Sequence, residues 1–163
     1  MTLQRGGCAA LRRAIAGIFL VLLASSAFAS DFRKTSWLMT REQIQASEDG
    51  TLVTERNVAG QQEVIYRARF EGYEGSVTYV LENDKLLAAT YNYQKDDTRQ
   101  VYRHMKESLT RQFGAPALQT DSLAVWRSAR TEVALAYRAE KTCYVAFWEK
   151  AYFARINNLT AAQ

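Results

Sequence analysis

The chain has 163 residues, 48% of them hydrophobic and 12% aromatic, with 21 Lys+Arg against 17 Asp+Glu and a formal net charge of +4. That is apolar material for one domain of ordinary size, and the charges alternate in sign with no run of five or six alike, which argues against a nucleic-acid electrostatic footprint. A single histidine and two cysteines leave nothing that signals a multi-histidine or zinc-cluster protein.

Positions 1–29 read as a cleaved signal peptide. Arg5, Arg12 and Arg13 form a basic leader without acids, Ala14 to Leu23 form a short apolar run, and Ala27-Phe28-Ala29 supplies the small-x-small cleavage pattern. The apolar run is about half of the roughly 20 residues that cross a bilayer. Cys8 precedes the run rather than following it, which does not fit lipoprotein processing. Ala14-Ile15 after the arginine pair lacks a twin-arginine context. The expectation is export, to a bacterial periplasm, of a single mature domain over 30–163. Three of the cations lie in the leader, so the mature chain carries a net charge of about +1. Cys143 is then alone and forms no internal disulfide; its setting in Thr142-Cys143-Tyr144-Val145-Ala146-Phe147 predicts a buried thiol.

Along the mature chain, Trp37 and Met39 are apolar anchors for the new N-terminus. Thr40-Arg41-Glu42-Gln43 has the spacing of a capping box and predicts a short helix from Arg41 to about Glu48, with Ile44 buried and Asp49-Gly50 ending it. The period then changes to two. Tyr66, Ala68 and Phe70 alternate with Arg67, Arg69 and Glu71, giving a half-buried strand. Glu71-Gly72-Tyr73-Glu74-Gly75 reads as a turn, Val77, Tyr79 and Leu81 as a second strand, and Asn83-Asp84-Lys85 as a reversal into a third strand from Leu86 to Tyr93. Asp97 is placed to cap a helix over Thr98 to Gln112, whose Val101, Met105, Leu109 and Phe113 fall on one stripe; Gly114 and Pro116 stop it. Strands follow at Leu123 to Ser128, Arg130 to Ala139 and Thr142 to Trp148. The segment Trp148 to Asn157 fits a helix and a strand about equally.

The order is therefore helix and three strands, twice. It predicts an α+β fold, a two-layer antiparallel sheet with helices on one face, and raises a diverged duplication as its origin.

Trp37-Leu38-Met39-Thr40-Arg41-Glu42-Gln43-Ile44 resembles the mature start of a group of uncharacterised bacterial exported proteins, Trp-Gly-Met-Ser/Thr followed by a short helix; Leu38 stands where that pattern has Gly. The hairpin Tyr79 to Leu86, Tyr91-Asn92-Tyr93 and Phe113-Gly114-Ala115-Pro116 look like the same group. More remotely, Met39 to Ile44 is similar to the helix start of small outer-membrane assembly lipoproteins, whose fold is similar to β-lactamase-inhibitor-like domains. The resemblance implies an α+β fold and an envelope address; it names no activity.

No residue pattern signals a catalytic centre, a metal site or a cofactor. His104 reads as a solvated helix residue, and the acidic pairs Glu48-Asp49 and Asp96-Asp97 sit at helix ends, where capping and solvation account for them. No glycine-rich phosphate loop and no Gly-x-Ser-x-Gly turn is present. Trp37, Tyr79, Trp126 and Tyr137 read as core. Arg67 and Arg69 on the outward side of a strand, with Tyr73 in the turn beyond, form the candidate contact surface, because Arg and Tyr are the types that anchor interfaces. The expected function is a non-enzymatic binding or adaptor module that contacts an envelope protein, with no nucleic acid and no membrane span after cleavage. An inhibitor of a secreted hydrolase, and a small hydrolase or a carrier of a lipid or other ligand with a helix-sheet cleft, are the alternatives.

Overall fold

The computed structural model describes residues 30–93, 98–138 and 142–161, and side chains as far as 158. The leader, the Asp96-Asp97 pair with its expected cap, and Ala139 lie outside the described residues. In chain order the elements are α1 (Arg41–Ser47), β1 (Thr51–Val58), β2 (Gln61–Phe70), β3 (Tyr73–Glu82), β4 (Lys85–Tyr93), α2 (Thr98–Phe113), β5 (Leu118–Gln119), β6 (Leu123–Arg127), β7 (Thr131–Arg138), β8 (Thr142–Glu149) and α3 (Lys150–Ala161). The strands form one antiparallel sheet in the order β1-β2-β3-β4-β8-β7-β6-β5. Each half is thus a helix followed by a four-stranded meander, and the last strands of the halves, β4 and β8, meet at the centre.

The local causes are those of the residues. The Thr40 hydroxyl accepts the Gln43 amide at 3.3 Å while the Gln43 side chain accepts the Thr40 amide at 2.9 Å, the reciprocal capping of α1. The first three hairpins close through Ala59-Gly60, Glu71-Gly72 and Asn83-Asp84, every one of these six residues at positive φ, the two-residue turn whose twist matches paired strands. Gly114, at φ +82°, ends α2, and its carbonyl accepts the Trp126 indole N–H at 3.0 Å.

One face of the sheet carries the core. Tyr66, Val77, Tyr91, Val145, Leu135 and Ala124 stand side by side across six strands, and all are buried. Ile44 of α1 and Val101, Met105 and Leu109 of α2 close over them. The N-terminal segment completes the lid: the Phe32 ring packs at 4.7 Å from Phe147, and the Trp37 indole N–H donates to the Thr131 hydroxyl at 2.9 Å. Gly75 is required by close approach, since a Cβ there would lie 2.3 Å from the Asn92 carbonyl oxygen and 2.5 Å from the Tyr91 ring.

Two expectations are corrected and one open reading is decided. Each half has four strands rather than three, because β1 and β5 are edge strands with almost no buried side chain and so no apolar alternation to reveal them. Trp148 to Asn157 resolves into the end of β8 and the helix α3. The helices do not all share one face. Trp148 neighbours Ala88 and Glu132 in the row opposite to the core face, and α3 packs there through Phe153, 5.2 Å from the Trp148 ring, through Tyr152, which accepts from the Gln61 amide at 2.9 Å, and through Arg155, paired with Glu82.

Candidate functional site

The outer face is covered unevenly. α3 contacts β7 and β8 and reaches the Gln61 end of β2 and the Glu82 end of β3 through Tyr152 and Arg155, while the outer sides of β2 and β3 near Arg67 remain open, next to the edge strand β1, on which Leu52, Val53 and Val58 are exposed. Two shallow grooves meet here. One, of about 430 Å³, is lined by Val53, Ile65, Arg67, Glu74, Gly75 and Ser76. The other, of about 340 Å³, runs past Asp49, Gly50 and Thr51 to Arg67, Arg69 and Glu74. Small residues on β3 and short ones on β1 are what leave this floor shallow and reachable.

Arg67 lines both grooves. It faces Thr51 on one neighbour and Ser76 on the other, neither of which supplies a counter-charge. Its guanidinium has no ion pair or hydrogen bond among the described residues. Arg69, two residues on and on the same face, is matched across the hairpin by Glu74 at 2.7 Å, with both side chains well exposed. An open guanidinium beside exposed valines is suited to carboxylate recognition with apolar contact around it.

Tyr73 is not part of that surface. Glu71 and Gly72 close the hairpin alone, so pairing resumes at Phe70–Tyr73, and two-residue alternation turns Tyr73 to the core side. There its ring lies 6.0 Å from Tyr93 and 5.4 Å from His104, edge-on to both. The structure therefore keeps Arg67 and Arg69 together and separates Tyr73 from them. His104, expected to be solvated, is half-buried against that ring.

A buried polar cluster lies under the surface and was invisible in the sequence. The Arg33 guanidinium, with only 8% of the side chain exposed, donates to Glu48 (1% exposed) and to Asp49, both at 2.8 Å, and to the Arg69 carbonyl. Glu48 also accepts the Tyr79 hydroxyl and the Gly50 amide. Burial alone would lower the Arg33 pKa, but Glu48, Tyr79 and Asp49 outweigh it and the net shift is upward. Burial, then the bond to Glu48, raises the Tyr79 phenol far above its ordinary value. Hydrogen bonds from Lys34 and within the Glu48 pair hold Asp49 down at about 2. Of Glu48-Asp49, expected to be a solvated helix end, the Glu48 side chain is buried while Asp49 stays exposed, and both acids are engaged by cations. The partners stand 15 and 31 residues apart, so no spacing rule reveals them.

Among the described residues, no group of three or more His, Cys, Asp or Glu side chains is placed to hold a metal ion, and no helix is long and apolar enough to cross a membrane. Cys143 is fully buried, and burial pushes its thiol up to about 12. Comparison with family models, curated proteins and solved structures finds no match.

Proposed function

We propose that the mature chain is an exported binding module of the bacterial envelope that acts by holding a partner protein on the open outer face around Arg67 and Arg69. The observation that carries this reading is Arg67, an exposed guanidinium without a counter-charge among the described residues, at the junction of two grooves. Export is supported by the leader pattern and by the position of the first anchors. Asp31 accepts the Trp37 amide at 3.0 Å and pairs with Arg130 at 3.2 Å, and Phe32 is core, so the residues directly after Ala27-Phe28-Ala29 belong to the fold.

The resemblance to the exported group is supported at one residue. Leu38 sits at φ +69°, in the left-handed region that glycine occupies without strain, where that group has Gly. We also propose that the two halves descend from one two-layer unit of a helix on a meander, to which α3 was added. The mirrored strand order supports this.

The test is Arg67→Ala and Arg69→Ala in the exported protein. Thermal stability should stay within about 0.5 kcal/mol of the parent, while capture of the envelope partner weakens by about 1 kcal/mol or more for Arg67→Ala. Unchanged capture, or loss of folding, would remove this face from the account.

A further inference from the structure

α2 carries a second, separate surface. Around the helix, Arg99, Arg103 and Lys106 fall within a narrow stripe, as expected for positions four and three apart, and Arg111 lies farther round on the solvent side. None has an ion pair among the described residues. Of the other described cations, Arg67, Lys85, Arg138 and Lys150 are also without an ion pair and stand apart from one another, so the run on α2 is distinguished by its clustering. Arg33, Lys34, Arg41, Arg56, Arg69, Arg127, Arg130 and Arg155 are each matched by an acid.

The stripe works against the helix that bears it. Arg99 and Arg103 are like charges at the i,i+4 spacing, as Arg103 and Lys106 are at i,i+3, and both arrangements weaken a helix. Arg99 also places a cation in the first turn, where the helix dipole favours an anion and no acid is present. Glu107 forms no ion pair with them among the described residues, and Asp96-Asp97, just before the helix, lie outside those residues. Glu107, four residues from both Arg103 and Arg111, offsets part of the cost of the like charges, but Arg99 and Lys106 add nothing to helix stability, and their gain is sought in binding.

We infer that this stripe docks the protein on an anionic lipid surface. A row of three cations about 10 Å long matches a plane of phosphate headgroups. The apolar residues of α2 are committed to the core: Val101, Tyr102, Met105 and Leu109 are buried and Phe113 packs against the core. The stripe therefore presents no aromatic or aliphatic anchor of the kind that carries a protein interface. Charge alone suffices at a lipid surface, where each basic side chain adds to the attraction and salt screens it. The side chains do not insert; they rest at the headgroups, with the grooves around Arg67 left free on another part of the molecule.

The experiment is co-sedimentation of the protein, purified after export, with vesicles of phosphatidylglycerol mixed into phosphatidylcholine and with vesicles of phosphatidylcholine alone. Binding is expected to the anionic vesicles only, to be released by salt, and to fall on the order of 100-fold in R99Q/R103Q/K106Q, as three lost charges imply. Arg67→Gln should bind the anionic vesicles like the parent, and the triple variant should still capture the protein partner, which separates this inference from the proposed function. Absence of binding to anionic vesicles at low salt, equal binding to neutral ones, or undiminished binding by the triple variant with its circular dichroism intact would overturn it. Should the triple variant misfold, Lys106→Glu alone must show the loss, and its failure to do so counts against the stripe.

Discussion

The two halves of the sheet share a layout and differ in how their helices close the core. In the second half α2 is 16 residues long and buries five of them, an amphipathic lid held by apolar contact. In the first half α1 has seven residues and buries only Ile44. The missing cover comes from the segment before it: Phe32 and Trp37 supply apolar area, and Arg33 reaches across to Glu48, at the end of α1, and to the backbone of β2. One half is closed by a long helix and the other by a short helix with a polar latch. A meander needs its face covered, and either device serves.

The latch should be the more fragile device. Glu48→Ala leaves the Arg33 guanidinium buried without its main partner, and the expected loss is about 3–5 kcal/mol in urea unfolding; a loss below about 1 kcal/mol would show that Arg33 finds water instead. Leu109→Ala attacks the other lid by opening a cavity, with an expected loss of about 2–5 kcal/mol. Hydrogen exchange separates the two: the first variant should free the amides of α1 and β2 first, and the second those of α2.

Acid sharpens the same contrast, because the latch of the first half is ionic while the helix lid of the second is apolar. Asp49 is held at about 2 in the fold against 3.8 for the free side chain, so the native state binds fewer protons than the unfolded chain between these limits. Its contribution is complete above the upper value and is lost as pH falls through about 2. The pH dependence of Tm across that window should therefore be shallower in Asp49→Asn than in the parent, and a parallel curve would place the acid sensitivity elsewhere. The smallest effect is expected at Leu38. Glycine there relieves a left-handed backbone at some cost in unfolded-chain entropy, for a net gain of about 0.5 kcal/mol; a loss would mean that the exposed leucine makes contacts of value.

Sequence and structure agree where local rules suffice. The Thr40–Gln43 cap, the stripe of α2, the Gly114 stop, the Asn83-Asp84 turn and the burial of Trp126 and Cys143 all follow from spacing and type. The edge strands β1 and β5 did not declare themselves, since an edge that buries nothing has no period to detect. Tyr73 was misplaced for a different reason: five turn-forming residues hide the fact that only Glu71 and Gly72 bend, and one residue of register decides the face. The Arg33–Glu48–Tyr79 cluster is long-range chemistry, legible only once the chain is folded. Of the candidate surface, the outward placement of Arg67 and Arg69 could be read from alternation. The grooves beside them could not, because they depend on β1 and on where α3 comes to rest.

The most direct measurement uses the symmetry of the sheet. Arg67, Ser76, Asn92, Tyr144, Ala136 and Leu123 form one outer row from end to end, so Arg67 and Leu123 hold matching places in the two halves. A photo-crosslinking residue introduced at each position in turn, and irradiated in living cells, should give a discrete protein adduct from position 67 and none from position 123. Adducts of equal yield at both positions, or an adduct at 123 alone, would contradict the assignment of function to the open face of the first half.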